Sequence, residues 1–363
     1  MTPKDILTPN TPSLGFGAMR LPDIDESIQL VDTYMDSGYN YFDTAYAYGG
    51  MEEKLKKSLV KRHPRATYMV ANKLPPWDVN NPKDADKILN ESLRRCGLDY
   101  FDFYLMHSLT DGREQHIEDA GMFEWAQEQK KKGIIKHVGF SFHGSTPYLE
   151  RLLNRHPKSE FVQLQLNYMD VLRGQAGDWQ ALALKHKKPI IVMEPVKGGT
   201  LASLPAPAEA LLKAHDPSRS IASWAIQYAA TLEGVTSTLS GMTNLEQVKD
   251  NLKTFKNLKP LTKEELSLLE KVITEIGKIS NIPCTGCKYC HKYCPKGIDI
   301  ATNFSIYNEH KRGNQLWNSK MMYDVLPKEA KAERCTSCGK CLEYCPQHVD
   351  IPTGLSEVAK SLT

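Results

Sequence analysis

The chain has 363 residues, of which 41% are hydrophobic and 25% are charged, which is the balance of a soluble globular protein. Its formal net charge of +3 argues against nucleic acid as the main partner, and no run approaches the roughly 18 apolar residues that a membrane helix needs. Because the N-terminal sequence MTPKDILTPNTP lacks the basic start and apolar core of a secretory signal, we expect a cytoplasmic protein that binds neither nucleic acid nor membrane.

Short apolar runs alternate with longer amphipathic stretches before the cysteine-rich C-terminal part. The runs predict strands at Leu14–Met19, Tyr41–Asp43, Thr67–Ala71, Phe101–Met106, Lys136–Ser141, Phe161–Gln165, Pro189–Met193 and Val235–Ser240. The stretches between them predict helices, for example at Ile24–Ser37, Asp84–Cys96, Phe123–Lys132 and Leu245–Phe255. Eight strands that are each followed by a helix favour a (β/α)8 TIM barrel. A doubly wound sheet is the alternative, but no Gly-x-Gly-x-x-Gly opens the first unit, which argues against a Rossmann nucleotide site.

Four polar residues stand where the second, third and fourth strands are predicted to end. Asp43 ends the second strand and Tyr48 lies in the loop after it, while Lys73 ends the third strand and His107 the fourth. In a barrel these ends meet at one mouth, which is where enzymes of this fold carry their chemistry. A nearby ammonium favours the phenolate of a tyrosine and so lowers its ordinary pKa of about 10. Each residue alone is more simply a solvated or capping side chain, but together they predict a proton-transfer site.

Eight of the nine cysteines fall into two copies of one pattern near the C-terminus. The copies are Cys284-x-x-Cys287-x-x-Cys290-x-x-x-Cys294-Pro295 and Cys335-x-x-Cys338-x-x-Cys341-x-x-x-Cys345-Pro346. This is the spacing of bacterial ferredoxin-type [4Fe–4S] ligation, in which the fourth cysteine of a copy usually binds the other cluster. We therefore predict two clusters, one held by Cys284, Cys287, Cys290 and Cys345, and the other by Cys335, Cys338, Cys341 and Cys294.

Zinc and disulfides are weaker explanations of these cysteines. Zinc takes four ligands and gains nothing from a third cysteine and a Cys-Pro pair repeated twice, and disulfides would need an oxidising compartment. The ninth cysteine, Cys96, is predicted to be a small buried helix residue.

The density of cysteine also divides the chain, with a boundary in the segment 277–283. We predict a barrel domain at residues 1–280 and an iron–sulfur domain at residues 281–363. Thr262 and Glu265 have capping-box spacing and predict the start of a helix just before this boundary. The long run between the two cysteine motifs has helical character at 304–310 and 328–333, so the small domain is predicted to be a mostly helical ferredoxin-like module.

The large domain resembles the aldo/keto reductase family. The resemblance covers most of residues 10–257, and rests on the Phe-Asp-Thr-Ala-x-x-Tyr-Gly element that begins at Phe42, the Asn72-Lys73 pair and His107 at the end of the fourth strand. The whole chain resembles the subgroup in which this barrel is fused to a C-terminal domain with two [4Fe–4S] clusters. Membership implies reversible hydride transfer between NAD(P)H and an aldehyde or ketone. It implies that Tyr48 protonates the developing alkoxide, that Lys73 and Asp43 tune Tyr48 as the proton donor, and that His107 orients the carbonyl.

The resemblance also implies a nicotinamide cofactor, NADP(H) or NAD(H), at the same mouth. It assigns Ser141 and Gln163 to the nicotinamide. Three further groups are implied to contact the rest of the cofactor: Gly17, Met19 and Arg20 after the first strand; Glu194, Pro195 and Lys197 after the seventh; and, in the adenosine-phosphate region at the eighth strand and the helix after it, Ser240, Gly241, Met242, Asn244, Gln247 and Asn251.

Two positions depart from the family pattern. Many members have asparagine directly after the nicotinamide-binding serine, where this chain has Phe142. Many NADPH-dependent members have arginine about where Gln247 stands, and glutamine cannot make a charge-assisted contact to a 2′-phosphate. The preference for NADPH over NADH is therefore an expectation from the family alone.

Three functional hypotheses remain open at this point. The first is a carbonyl reductase whose clusters are structural or regulatory. The second is a redox enzyme that exchanges electrons with an external carrier through its clusters, which raises the difficulty that a hydride carries two electrons and a [4Fe–4S] cluster one. A flavin would resolve it, but no clear flavin-binding motif is present. The third is a non-catalytic subunit that uses a nucleotide-bound barrel as a sensor or scaffold.

Overall fold

A computed structural model describes residues 14–174, 176–279, 281–311 and 316–363. Parallel strands close into a barrel in chain order, because β1 pairs with β8 as well as with β2. The strands are β1 (Leu14–Gly17), β2 (Tyr41–Asp43), β3 (Met69–Leu74), β4 (Phe101–Leu109), β5 (Ile135–Phe142), β6 (Phe161–Gln165), β7 (Ile190–Met193) and β8 (Val235–Ser240). The predicted eight-stranded TIM barrel is confirmed.

Helices follow the strands and continue into the C-terminal part. Up to β8 they are α1 (Ile24–Asp36), α2 (Met51–Leu55), α3 (Pro82–Cys96), α4 (Glu114–Asp119), α5 (Met122–Lys131), α6 (Thr146–Arg155), α7 (Tyr168–Leu172), α8 (Gly177–Lys185), α9 (Ala206–His215) and α10 (Ile221–Ala230). After β8 they are α11 (Leu245–Lys256), α12 (Lys263–Gly277), α13 (Ile300–Lys311), α14 (Leu316–Asp324) and α15 (Ile351–Leu362). In the described residues, none of these helices has the length and apolar character that a membrane crossing requires.

Several strand boundaries differ from the predictions, and three strands end two or three residues away from the predicted end. β1 ends at Gly17 because the chain turns into a short 3-10 helix at Ala18–Arg20. β3 continues to Leu74, since its pairing with β4 extends to Met106. β4 continues to Leu109, which pairs with Phe142 after a register shift. Lys73 and His107 therefore lie within their strands, one and two residues before the ends.

The barrel interior is filled below the mouth by a layer of large apolar side chains. The Tyr41 and Phe103 rings meet edge to face at 5.2 Å, and Phe103 meets Phe161 in the same way at 5.6 Å. Space for the Phe161 ring exists because Gly139 faces it: a Cβ at Gly139 would lie 2.7 Å from two ring atoms and from the Phe161 carbonyl oxygen.

This layer decides which residues reach the mouth, because side chains alternate along a strand with period two. Asp43 follows Tyr41, Gln163 follows Phe161, and Lys73 follows the buried Ala71, each two residues further along its strand. The polar residues thus face the same interior as the apolar layer, one level closer to the carboxyl ends of the strands.

The chain divides into two compact units. The first contains the described residues up to Pro195 together with Ser223–Leu261, and the second contains Val196–Ala222 and Thr262–Thr363. In the second unit, α9 packs against α12, and Arg219 pairs with Glu265 at 2.9 Å. The predicted capping box of α12 is present, since Thr262 and Glu265 each bond the other's backbone N–H. This unit includes 196–222 and α12, which both come before residue 281 in the chain. The domain boundary at residue 280 therefore stays a prediction.

The rest of the second unit is a small helical core. Residues of α13 and α15 pack together around Phe304, Leu355 and Tyr323. Helix α13 confirms the helical prediction at 304–310, whereas 328–333 forms two short 3-10 turns, Lys328–Ala330 and Ala332–Arg334, and not an α-helix. The interruption has a local cause, because the backbone at Ala330 and Ala332 is bonded to the Asn303 side chain.

The close packing at Gly139 generates a stability prediction. We expect Gly139→Ala to lower the free energy of unfolding by about 1–3 kcal/mol, because the added methyl group overpacks the barrel interior. Gly112→Ala is the matched control, since within the described structure a Cβ there meets nothing within 4 Å. Urea unfolding followed by tryptophan fluorescence measures both, and equal midpoints for the two variants would contradict this packing.

Candidate active site and cluster-binding loops

The Lys73 ammonium group is the centre of the polar cluster at the barrel mouth. Its Nζ donates to the Asp43 carboxylate, to the Thr44 carbonyl oxygen at 2.8 Å and to the Tyr48 hydroxyl at 3.2 Å. The parallel register pairs Asp43 with Ala71, so Lys73 extends from the neighbouring strand over the carboxylate. Three of the four residues predicted to form the proton-transfer site are thus joined directly.

Burial makes the charge of Lys73 depend on its partners. Lys73 is only 1% exposed, and burial by itself lowers the pKa of an ammonium group. The Asp43 carboxylate and the Tyr48 side chain outweigh this effect and leave the pKa of Lys73 above its ordinary value of 10.5. Lys73 is therefore charged at neutral pH and offers Tyr48 a fixed positive donor.

His107 completes the cluster from the fourth strand. Its ring lies edge to face with the Tyr48 ring, at 5.7 Å between centroids, and 5.5 Å from the Trp77 ring. Burial lowers the pKa of His107 well below its ordinary value of 6.5, and the Lys73 ammonium lowers it further. The ring is consequently neutral at neutral pH, so one nitrogen carries a proton that it can donate to a substrate oxygen.

The two residues predicted to hold a nicotinamide are buried at the same mouth. Gln163 donates from Nε2 to the second Asp43 carboxylate oxygen at 3.0 Å, so Asp43 is held from two strands. The Ser141 hydroxyl accepts the backbone N–H of Ser108 at 2.7 Å. Ser108 has a positive φ of 54°, and this turn of β4 aims its N–H at the neighbouring strand.

In the second unit the cysteine loops surround two cavities. One is lined by Cys284, Cys287, Cys290 and Cys345. The other is lined by Cys294, Cys335, Cys338 and Cys341. Each cavity combines three cysteines of one motif with the Cys-Pro cysteine of the other, which is the crossed arrangement predicted from the sequence.

The thiols suit a cluster better than a single ion. Within the described residues, no three His, Cys, Asp or Glu side chains converge as ligands of one metal ion, and the irons of a cubane cluster each take one thiolate. Burial and the neighbouring cysteines raise the pKa of the Cys290 thiol, and likewise raise that of Cys341 to about 11. Binding of iron would displace these protons.

Both loops have the same backbone conformation. Positive φ angles occur two and four residues after the first cysteine of each motif, at Gly286 and Lys288 and again at Ser337 and Gly339. The turns aim backbone N–H groups at sulfur, from Gly286 to Cys284 and from Ser337 to Cys335, each at 3.4 Å. Such N–H donors tune the reduction potential of a bound cluster.

Helix α13 fixes both loops through two buried asparagines that sequence reasoning did not single out. Asn308 accepts the N–H of Ile282 at 2.8 Å and donates to its carbonyl oxygen at 2.7 Å. Asn303 accepts the N–H of Ala332 at 3.0 Å and donates to the carbonyl oxygen of Ala330 at 2.8 Å. The backbone just before each cysteine motif is therefore bonded to the same helix.

Comparison with known proteins agrees with both halves of this description. The sequence model of the “Aldo/keto reductase family” matches residues 13–274, and that of the “4Fe-4S dicluster domain” matches residues 283–349. The chain belongs to the aldo/keto reductase family. It is an oxidoreductase of that type with an iron–sulfur domain at its C-terminal end.

Individual relatives are distant. The chain is 23% identical to the uncharacterized oxidoreductase YqkF of Bacillus subtilis (strain 168), over 71% of this chain and 91% of that protein. It is 33% identical to methylglyoxal reductase DkgA of Escherichia coli O157:H7, over 47% of this chain and 64% of that protein.

Solved structures of other aldo/keto reductases share the barrel fold. AKR11C1 from Bacillus halodurans, in its holo form, has a TM-score of 0.59 at 24% identity and covers 72% of this chain and 91% of its own. The enzyme from Klebsiella pneumoniae in complex with NADP and acetate has a TM-score of 0.61 at 21% identity, and covers 72% of this chain and 92% of its own.

Phe142 departs from the aldo/keto reductase pattern for a packing reason. Since β5 continues through Phe142, its side chain points to the opposite face from Ser141. The Phe142 ring packs against Tyr148 at 5.6 Å and Trp179 at 5.4 Å, among the surrounding helices. The next inward position is His143, which is buried and lowers the pKa of His107. Period-two alternation from Ser141 was the signal that could have identified it.

A second buried polar network was also missed by sequence reasoning. Asp170 accepts from Gln165 and from Asn167, both at 2.8 Å, and Asn167 donates to the Glu194 carbonyl oxygen at 3.4 Å. It joins the ends of β6 and β7. Glu194 has a positive φ of 53°, a conformation that is uncommon for a residue with a side chain.

The implied adenosine-phosphate residues lie where β8 leads into α11. Asn244 caps the helix by accepting the Gln247 N–H at 2.9 Å, and Asn251 donates to the Ser240 hydroxyl at 2.8 Å. Gln247 is engaged in the turn, since its Oε1 accepts the Thr243 N–H at 2.7 Å. The remaining members are Gly241 and Met242, of which Met242 is buried.

The other implied cofactor residues are divided between the two units. Gly17 lies close to β8, since a Cβ there would be 3.3 Å from the Ser240 carbonyl oxygen, and Met19 and the exposed Arg20 follow it. Glu194 and Pro195 belong to the barrel unit, and Lys197 belongs to the second unit.

Within the second unit, the loop that contains Lys197 packs against a cysteine loop. Gly198 has a positive φ of 64°, and a Cβ there would lie 2.6 Å from the Cα atom of Thr285. Thr285 directly follows Cys284, so this loop after β7 lies against the first cysteine motif.

Crossed ligation predicts an asymmetric result for two pairs of variants. Cys284→Ala/Cys345→Ala removes two ligands of one cavity, so we expect the protein to keep about half of its iron. Cys284→Ala/Cys294→Ala removes one ligand from each cavity, so we expect it to lose most of its iron. Iron analysis of anaerobically purified protein, with electron paramagnetic resonance after dithionite reduction, measures both.

Cys96→Ala is the control and should keep all of its iron, because Cys96 lies in α3, away from both motifs in sequence. The opposite order of iron loss in the two double variants would show that each motif binds its own cluster.

Proposed function

We propose that this protein catalyses reversible reduction of an aldehyde or ketone by NADPH or NADH at the mouth of the barrel. The observation that carries the proposal is the contact of one buried ammonium group, Lys73 Nζ, with both Asp43 and Tyr48. This arrangement gives a half-buried tyrosine hydroxyl a charged donor that is itself buried, which suits a general acid for an alkoxide.

The described residues fit a nicotinamide cofactor at this mouth. Ser141 and Gln163 present polar groups from the barrel interior, and Gly17 approaches Ser240 closely, since a Cβ there would lie 3.3 Å from the Ser240 carbonyl oxygen. The N-terminus of α11 offers backbone N–H groups to a phosphate, because the first turn of a helix has unpaired donors and a positive dipole end. When bound, the reduced nicotinamide would supply the hydride.

The chain's own residues would handle the proton and the carbonyl oxygen. Neutral His107 would donate a hydrogen bond to the substrate oxygen and orient it. Tyr48 would give its proton to the same oxygen as negative charge develops, and the resulting phenolate would be stabilised by Lys73 at 3.2 Å. Asp43 keeps Lys73 charged and in place through the cycle. Substrate and solvent would be separated by the Trp77 ring beside His107.

Tyr48→Phe tests the role of the hydroxyl. We expect kcat for reduction of methylglyoxal or a simple aromatic aldehyde to fall by about 10²–10⁴-fold, because the proton donor is lost. Binding of NADPH, followed by its fluorescence, should change by less than threefold. Both quantities are measured on the same cluster-loaded preparation.

Tyr46→Phe, in the same loop, is the matched control and should keep kcat within about threefold. The Arg95 guanidinium lies over the Tyr46 ring, 4.7 Å from its centroid, and a phenylalanine ring keeps this contact. Retention of wild-type turnover by Tyr48→Phe would contradict the assigned role.

Gln247→Arg tests which nicotinamide the site accepts. An arginine at this position could pair with the 2′-phosphate of NADPH, so we expect the ratio of KM for NADH to KM for NADPH to rise at least about tenfold. Gln247→Leu removes the same bond to Thr243 without adding charge, and should leave the ratio within about twofold of wild type. An equal change of the KM ratio in the two variants would show that the bond between Gln247 and Thr243, and not the added positive charge, sets the preference between NADPH and NADH.

Electron exchange with an external carrier is a second candidate function. The exposure of Cys338, a proposed cluster ligand, favours it, since a cluster held there would lie at the protein surface. The two functions are compatible if a two-electron step in the barrel is divided elsewhere.

A further inference from the structure

The second cysteine cavity has both buried and exposed cysteines in its lining. Cys341 is buried, whereas Cys338 is exposed to solvent. Lys296 and Thr336 also line the cavity, and both are exposed. Two further exposed residues, Lys340 and Leu342, flank the buried Cys341 in sequence. We call the exposed residues Lys296, Thr336, Cys338, Lys340 and Leu342, which lie at or next to the cavity lining, the cluster rim.

The cluster rim is basic. The segments 284–297 and 334–342 contain five Lys or Arg and no Asp or Glu. Lys296, Arg334 and Lys340 are all exposed. The nearest carboxylates in sequence, Glu333 and Glu343, stand just outside these segments.

The cluster rim also has an exposed apolar contact point. Leu342 is 42% exposed, although it directly follows the buried Cys341. Its Cδ1 lies 3.8 Å from the position a Cβ would take on Gly339, so the leucine covers the loop between Cys338 and Cys341. Protein-binding surfaces usually combine exposed apolar side chains with polar and charged ones.

We propose that the cluster rim is the docking surface for an acidic one-electron carrier protein. The proposal rests on the proposed iron–sulfur sites and on the second candidate function above, which it makes specific. Docking would bring the carrier's redox centre against Cys338, and a single electron would pass from the reduced carrier to the cluster held there. No bond is made or broken, and the carrier is oxidised by the one electron that the cluster gains.

Charge decides between the alternative occupants of this surface. A second copy of the chain would present the same basic rim, and like charges would repel. Basic residues could instead serve only to offset the negative charge of thiolate-bound clusters, but this role requires neither the exposure of Lys296 and Lys340 nor an exposed leucine directly after the buried Cys341.

The test is the affinity of cluster-loaded protein for an acidic plant-type ferredoxin, measured by surface plasmon resonance at low salt. We expect Lys296→Glu/Lys340→Glu to weaken Kd at least about tenfold, and the difference to shrink below threefold at high salt, because ions screen exposed charges. The matched control Lys57→Glu/Lys83→Glu changes the net charge equally at exposed barrel positions and should stay within twofold of wild type.

Leu342→Ser provides an independent variant without a change of charge, and we expect a weaker Kd with an unchanged salt dependence. Basic cytochrome c should bind at least tenfold more weakly than ferredoxin. Equal loss of affinity in the rim and control variants would overturn the proposal, as would loss of iron from the rim variant. Because binding is read without nicotinamide or carbonyl substrate, failure here is distinguishable from failure of the proposed reductase activity.

Discussion

The barrel site depends on a single buried charge that cannot stand alone. An ammonium group taken out of water costs several kcal/mol unless a well-placed partner compensates for it. Lys73 meets this condition through Asp43, and Asp43 is itself held from β6 by Gln163. Removal of one partner from a buried ion pair typically costs about 3–5 kcal/mol, so the same interaction that arranges the chemistry also limits which substitutions the mouth tolerates.

The positive charge of Lys73 acts on two neighbouring groups. The ammonium group donates a hydrogen bond to the Tyr48 hydroxyl, and it lowers the pKa of His107. In the proposed reaction, a neutral histidine and a tyrosine beside a cation would be two donors for one oxygen, which is the requirement for stabilising a developing alkoxide. The apolar layer of Tyr41, Phe103 and Phe161 beneath them closes the barrel interior and keeps the electrostatic interactions in a dry environment.

In the second unit a comparable constraint acts on the backbone. Two cysteine loops of the same conformation are held in positions where each cavity combines three cysteines of one motif with one cysteine of the other. Asn303 and Asn308 provide this by bonding the backbone ahead of both loops from one helix. The packing of Gly198 against Thr285 adds the loop after β7 to the same unit.

The residues that could be predicted from the sequence are those marked by their chemistry and by a recognisable position or spacing in a short segment. Asp43, Lys73 and His107 were found because barrel strands bring their carboxyl ends together, and the cysteines because ligand spacing repeats. His143 was missed, since the expected asparagine drew attention to the adjacent Phe142, which faces the helices. Asn303 and Asn308 gave no signal, because an asparagine within a helix looks the same whether it faces solvent or a buried backbone. The membership of 196–222 in the second unit depends on helix packing that no local pattern encodes.

The most direct measurement follows deuterium from NADPH labelled at nicotinamide C4 into product, in a single turnover of cluster-loaded protein with an aldehyde. The account predicts that carbonyl carbon receives the label, and that the rate shows a primary isotope effect. Oxidation of NADPH without deuterium in an alcohol product, or no oxidation at all, would contradict hydride transfer at the barrel mouth.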